Sequence, residues 1–167
     1  MTRNSSIEQP EAPTPPAASR LGGSHLIELP RNVCLDLLGS HHFGRLAVAI
    51  GGGAPIVRPV NYAFDRSSQS VVFRTSRGSK LYALTHATAA AFEIDGVDEQ
   101  ARTGWSVIIQ GVIEEVVRAD ELRRLERYGL DPWAPGPMPH WVRIRARTVS
   151  GRQIALAGSS IPGGYLG

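Results

Sequence analysis

The sequence predicts a mainly β fold with peripheral α-helices, a small antiparallel barrel, on three observations. Stretches of alternating apolar residues recur along the chain, short polar turns join several of them, and the helical stretches fall at irregular intervals. A doubly wound parallel sheet would need regular strand-helix alternation, which this order lacks. The 167 residues suffice for one domain with a buried core.

Taken in order, residues 1–24 hold Pro10, Pro13, Pro15 and Pro16 among Ser, Thr, Ala and Glu. No apolar run there offsets the entropy of ordering, so a disordered tail is expected. It also lacks the apolar stretch of a signal peptide, so a cytoplasmic location is expected. Pro30 stands where a helix begins, and Val33, Cys34, Leu37 and Leu38 follow on one helical face. From Phe43 to Ile50 the period becomes two, with Leu46, Val48 and Ile50 alternating, and Gly51–Gly53 turns the chain. Ile56, Val60, Tyr62 and Phe64 continue that period on a return strand. Within it Pro59, having no N–H, predicts a free backbone edge or a bulge. Asp65–Gln69 is a turn and Ser70–Thr75 a third strand.

Beyond Thr75 a polar loop (Ser76, Arg77, Gly78, Ser79, Lys80) leads into the helical spacing of Leu81, Tyr82, Leu84 and His86. Ala89–Asp95 reads as a fourth strand and Trp105–Val117 as a long fifth, with a bulge near Gly111. Leu122 and Leu125, set among Arg and Glu, make Ala119–Tyr128 an amphipathic surface helix. The Pro-rich loop Asp131–Pro139 precedes a last strand ending near Ile154, in which Val142, Ile144 and Ala146 alternate with Arg143, Arg145 and Arg147. Ala157–Gly167 is Gly-rich and expected to fray. The folded unit is thus 25–154, flanked by tails 1–24 and 155–167.

Composition narrows the function classes. Hydrophobic residues make up 42% and charged residues 20%, with no apolar run long enough to span a bilayer, so neither global disorder nor a membrane protein fits. A net charge of +3 is too mild for a nucleic-acid surface, and the three alternating arginines of the last strand read as a solvated face. The single cysteine excludes an intramolecular disulfide and a thiolate metal cluster. Cys34, set among Val33, Leu35, Leu37 and Leu38, reads as a buried, inert thiol. His41 and His42 are adjacent and would point to opposite sides of a strand, which suits a capped helix end or a surface pair better than a shared metal. No metal is expected.

The sharpest chemical feature is positive charge without a counterweight. Between Arg66 and Phe92 there is no Asp or Glu, yet Arg66, Arg74, Arg77 and Lys80 fall there, and Lys80 is the only lysine of the chain. Arginine forks, a lysine point charge, the hydroxyls of Thr75 and Ser79 and the N–H groups of a helix start together suit a phosphate. A solvated loop is the alternative reading of the same residues. Gly51–Gly53 is no dinucleotide fingerprint, because it joins strand to strand and Ile56 takes the third glycine position. Gly78-Ser79-Lys80 lacks the remaining glycine and hydroxyl residue of a triphosphate loop.

The segments Gly44-Arg45-Leu46-Ala47, Arg58-Pro59-Val60-Asn61-Tyr62, Phe73-Arg74-Thr75 with Gly78-Ser79-Lys80, Trp105-Ser106-Val107 with Gly111, and Val142-Arg143-Ile144 with Gly151-Arg152 are ordered as in a known family. Together they resemble the pyridoxamine 5'-phosphate oxidase-like, FMN-binding split-barrel family over about residues 30 to 154. The resemblance implies a six-stranded antiparallel split β-barrel and a homodimer with FMN, or a deazaflavin, at the interface. It implies that Arg58, Pro59, Val60 and Asn61 run along the flavin ring, that Arg74, Thr75, Ser79 and Lys80 hold the phosphate, and that Trp105 and Ser106 approach the flavin. It places Trp133, on the Pro-rich loop, where a partner subunit covers the site. The function implied is an FMN-dependent oxidoreductase acting on a small or aromatic substrate, or else a non-catalytic flavin or deazaflavin carrier. One departure argues against true pyridoxamine phosphate oxidation, since no Arg-x-His motif follows Arg152-Gln153-Ile154; a second, Trp105-Ser106 in place of an Arg-Gln pair, argues against the family's flavin-edge contacts at that position.

Overall fold

The alternating segments join into one antiparallel sheet in the computed structural model, which describes residues 24–49, 54–76 and 89–156. In chain order the elements are β1 (Ser24–Glu28), α1 (Arg31–Ser40), β2 (Phe43–Val48), β3 (Ile56–Asn61), β4 (Ala63–Asp65), β5 (Ser70–Thr75), β6 (Ala90–Asp98), β7 (Thr103–Glu115), α2 (Ala119–Glu126) and β8 (His140–Leu156). The expected Gly51–Gly53 turn, the helical stretch Leu81–His86 and, of the expected tails 1–24 and 155–167, residues 1–23 and 157–167 lie outside the described residues.

Neighbouring strands run in the order β3-β2-β6-β7-β8-β5-β4, with β1 also on β8. Only Tyr62 separates β3 from β4, so the two ends of this path are halves of one bent strand and the sheet curls back on itself. Counted that way there are seven strands, one more than the six expected. The additional strand is β1, whose residues Ser24-His25-Leu26-Ile27-Glu28 carry no alternation and are held by register with Arg152–Leu156 of β8. The described elements run from Ser24 to Leu156.

Inside the curl, Leu46, Phe92, Ile94, Val107, Ile109, Val71, Phe73, Val142 and Ile144 form the main core. Each large side chain removed from water there contributes about 1.5 to 3 kcal/mol before the entropy of ordering is subtracted. The helix α1 closes one end with Cys34, Leu37 and Leu38, all buried. Tyr62 ties the bend to that helix, since its hydroxyl donates to Leu38 O at 2.9 Å and its ring meets Phe92 edge-on at 4.7 Å. A second cluster lies on the outside of β4, β5 and β8, where Leu122 and Leu125 of α2 pack on Ala63, Val72, Val116 and Trp141.

The bulge expected near Gly111 is present: the register between β7 and β8 shifts between Gln110 and Gly111. A Cβ at Gly111 would collide with the Arg145 carbonyl oxygen, so the close approach of the two backbones requires glycine there. Pro59 also does what its missing N–H predicts, because among the described residues β3 is an end strand that pairs only with β2.

Candidate functional site

The candidate site is built on the unpaired edge of β3, and the hydrogen-bond phase of the strand determines what that edge offers. Tyr62 N–H donates to His42 O at 3.0 Å, so the backbone groups of residues 62, 60 and 58 point toward β2. Residues 57, 59 and 61 then point away from it. Among the described residues no strand pairs with that edge. The Val57 carbonyl is taken by Arg58, whose Nη1 donates to it at 3.0 Å. Pro59 contributes a carbonyl and no donor. The N–H and carbonyl of Asn61 follow immediately, so an acceptor and a donor stand side by side.

Side chains leave this strand on two faces. Pro59 is in register with Arg45, and Asn61 with Phe43, on the outer face of the sheet. Val60 is buried, and Arg58 shares the face of Leu46 but is exposed at the rim. The outer face continues across β6 to β8, with Asp95, Ser106 and Arg152 in one row. Arg45 is ion-paired with Asp95 across it.

Trp133 is brought to the same place from a distant part of the chain. Its backbone N–H donates to Asn61 Oδ1 at 2.9 Å, and its ring stacks on Phe43 with centroids 5.2 Å apart and planes 13° apart. It remains 71% exposed, so one face of the indole is covered and the other is open. A cleft of about 410 Å³ runs beside it, with Asn61, Tyr128, Asp131 and Trp133 in its lining.

The other expected residues are distributed more widely. Trp105 faces inward, edge-on to His41 at 5.0 Å and above Gly96, where a Cβ would meet the indole at 2.6 Å. Trp105 and Ser106 border a second cleft of about 560 Å³, lined also by Leu26, Val97, Arg152 and Ile154. Arg74 and Thr75 leave opposite faces of β5, as neighbours in a strand must. Thr75 is buried on the core side. Arg74 is turned toward α2, where its Nε donates to Met138 O at 2.8 Å and its guanidinium lies 5.5 Å from the Trp141 ring centroid. The structure therefore does not bring these two side chains together as one phosphate grip. Ser79 and Lys80 lie outside the described residues.

Two charged clusters escaped sequence reasoning. Asp65, 1% exposed, accepts from Ser67 N (3.2 Å), Ser67 Oγ (2.7 Å), Ser68 Oγ (2.5 Å), Arg124 (2.8 Å) and the Tyr128 hydroxyl (3.1 Å). Burial alone would raise its pKa; the hydrogen bonds of Ser68 and Ser67, the charge of Arg124 and the Tyr128 hydroxyl outweigh it and hold the carboxyl below its usual range. The Asp-x-Ser-Ser turn was a legible local signal, whereas Arg124 and Tyr128, about 60 residues away, were not. The expected solvated arginine face also needs correction at Arg143. That residue is 9% exposed and bridges Glu114 (2.5 Å) and Glu121 (2.6 Å), because α2 folds over this part of β8.

His41 caps α1 as expected, its Nδ1–H donating to Leu37 O at 2.8 Å. Cys34 is buried, and burial pushes its thiol pKa up, as expected of an inert thiol. Among the described residues no group of three His, Cys, Asp or Glu side chains is placed to hold a metal, and no helix is long and apolar enough to cross a membrane.

Comparison with known proteins finds a match to the family model described as pyridoxamine 5'-phosphate oxidase over residues 30–153. An uncharacterized protein of Mycobacterium tuberculosis is 32% identical over 142 residues, covering 82% of this chain and 91% of that relative. Among solved structures, the FAD binding protein from Mycobacterium smegmatis superposes with a TM-score of 0.66 at 31% identity, covering 77% of this chain and 100% of the other. An FAD-binding protein from Mesorhizobium loti gives a TM-score of 0.63 at 26% identity, covering 78% and 99%.

Proposed function

The chain belongs to the pyridoxamine 5'-phosphate oxidase family, and on that premise we propose that it is a cytoplasmic, FMN-binding oxidoreductase, acting on a small or aromatic substrate rather than on pyridoxamine phosphate. The observation that carries this reading is the unpaired edge of β3. Its Pro59 carbonyl and Asn61 N–H stand as adjacent acceptor and donor, complementary to the N–H and carbonyl of a flavin's pyrimidine ring. Pro59 suits the role because it leaves no competing donor beside its carbonyl, and the bend at Tyr62, fixed through Leu38 O, holds the edge in place. The residues present therefore fit a flavin ring. The FAD-binding relatives of Mycobacterium smegmatis and Mesorhizobium loti support a flavin of some kind.

Bound there, the flavin would supply hydride and electron transfer, and this chain's groups would orient it and exclude water. Pro59 and Asn61 would hold the ring edge through their outward backbone groups, with Arg58 at the rim, Val60 buried behind them, Ser106 on the outer face of β7 and Trp133 over the end near Asn61. Thr75 stands at the end of β5, and Ser79 and Lys80 are assigned to the phosphate from the sequence alone. Arg74 is the weakest member of this set, since it is turned away from Thr75. Trp105 packs against His41 and Gly96 and offers no cation where the vitamin-making enzymes carry arginine, so the flavin-edge contact made by that arginine is not carried over to this position. Exposed Leu26, Val97, Ile154 and Leu156 support a two-fold homodimer through this side of the sheet.

The test is an absorbance spectrum of the protein as purified, with mass spectrometry of whatever heat releases from it. Flavin bands and an FMN mass are the expected result. A protein that is colourless and takes up neither FMN nor deazaflavin would overturn the proposal. Lys80→Ala is expected to weaken FMN by about 10-fold to more than 100-fold, as loss of a charge-assisted phosphate contact. Stopped-flow mixing with NAD(P)H or a reduced deazaflavin then separates the enzyme from a carrier, which would bind without being reduced.

A further inference from the structure

We infer that the cleft of about 410 Å³ beside the bend at Tyr62, bordered by Trp133 and Tyr128, binds a flat aromatic ring of the substrate. The inference rests on the flavin reading only for the word substrate; the cleft and its chemistry stand on their own.

Trp133 is prepared for stacking. Its backbone is pinned through Asn61 and one face of its indole is backed by Phe43, which leaves the other face open at 71% exposure. Tyr128 is prepared in the same sense. Its hydroxyl is engaged with buried Asp65, and its backbone N–H donates to Leu125 O at 3.0 Å, so what it presents to the cleft is its ring. Aromatic faces held rigid before binding lose little entropy when a third ring stacks on them. The volume falls within the range of small-molecule sites and is too small for a protein segment of any length.

Polar groups at the border limit what the ring carries. Asn61 Oδ1 already accepts from Trp133, which leaves the Nδ2 amide hydrogens as donors, and Asp131 adds an acceptor. A neutral ring bearing a carbonyl or hydroxyl suits this border better than an anionic one, which Asp131 would repel. Asn61 is also the residue whose backbone N–H lies on the unpaired β3 edge, so a ring in the cleft would sit beside a flavin bound there.

The experiment is calorimetric titration of the purified protein, with its bound flavin measured by absorbance, using 2-naphthol and its saturated counterpart decahydro-2-naphthol. The aromatic probe is expected to bind at least about 10-fold more tightly than the saturated one. Trp133→Ala is expected to remove that preference, and because the side chain is mostly exposed the fold should survive. Phe43→Leu, which takes away the backing ring, should reduce the preference in part. Equal binding of the two probes to the natural protein would overturn the inference, as would an unchanged preference in Trp133→Ala. Loss of flavin and naphthol binding together in that variant would also overturn it, assigning Trp133 to the cofactor. Naphthol preference in a protein that takes up no flavin would uphold the aromatic site and defeat the flavin reading, so the two fail separately.

Discussion

Replacing Asp65 by alanine is the most informative perturbation of the fold around the candidate site. The carboxylate is 1% exposed and collects donors from Ser67, Ser68, Arg124 and Tyr128, joining the turn after β4 to α2 and to the chain that follows it. Breaking a fully buried ion pair costs about 3 to 5 kcal/mol. Here the upper end does not apply, because the Arg124 side chain is 33% exposed and the serines sit at a turn, so water can satisfy part of what the carboxylate leaves behind. The expected loss for Asp65→Ala is about 3 kcal/mol, a large fraction of a domain's stability. Asp65→Asn keeps the shape but aims an amide at a ring of donors, and should lose about 2 kcal/mol. Urea unfolding followed by circular dichroism measures both, with the midpoint moving and the denaturant slope unchanged. A double-mutant cycle with Arg124→Ala should give a coupling of about 1 kcal/mol, with the serines and Tyr128 accounting for the rest. A loss below about 1 kcal/mol for Asp65→Ala would refute the reasoning, since water would then serve the donors as well as the carboxylate does.

Three further outcomes are expected. Gly111→Ala should destabilise by about 3 kcal/mol in the same assay, since the added Cβ meets the Arg145 carbonyl at a bulge that cannot widen without breaking the β7–β8 ladder. Asp65 and Glu114 both have folded pKa values below their unfolded ones: burial opposes this, but hydrogen bonds and charge prevail, from Ser68, Ser67, Arg124 and Tyr128 at Asp65 and from Arg143 and Arg145 at Glu114. Their contribution is therefore complete above about pH 5 and is lost as pH falls through the folded values, so urea midpoints measured down the acid limb should drop below about pH 4, less steeply in Asp65→Ala. Cys34 should resist a thiol reagent such as dithionitrobenzoate in the native protein and react at once in urea, because it is buried and its thiolate is disfavoured.

Local pattern was sufficient for the strands. Leu46 and Val48, then Val71 and Phe73, then Val107 and Ile109 alternate because one face of each strand must be apolar wherever the sheet packs, and that demand leaves the same period in any strand of the barrel. The glycine of the bulge and the proline of the edge were legible for a related reason, since each answers a backbone constraint that one residue can express. β1 was not legible, because Ser24–Glu28 is held by register with β8 rather than by any pattern of its own.

For the site, the sequence and its family resemblance singled out candidate segments: the β3 stretch Arg58–Asn61, the end of β5 and the Pro-rich loop. It could not determine which of their side chains meet. Asn61 and Trp133 are 72 residues apart and Asp65 and Arg124 are 59 apart, and each pair is joined by a hydrogen bond that only the curl of the sheet makes possible. Neighbours such as Arg74 and Thr75 part company for the opposite reason, since a strand sends adjacent side chains to opposite faces. Residue type and spacing are local quantities, legible wherever one element determines them. A site assembled from the unpaired edge of one strand, a loop and the far side of a bend is a property of how the elements close on one another, which the tertiary structure alone decides.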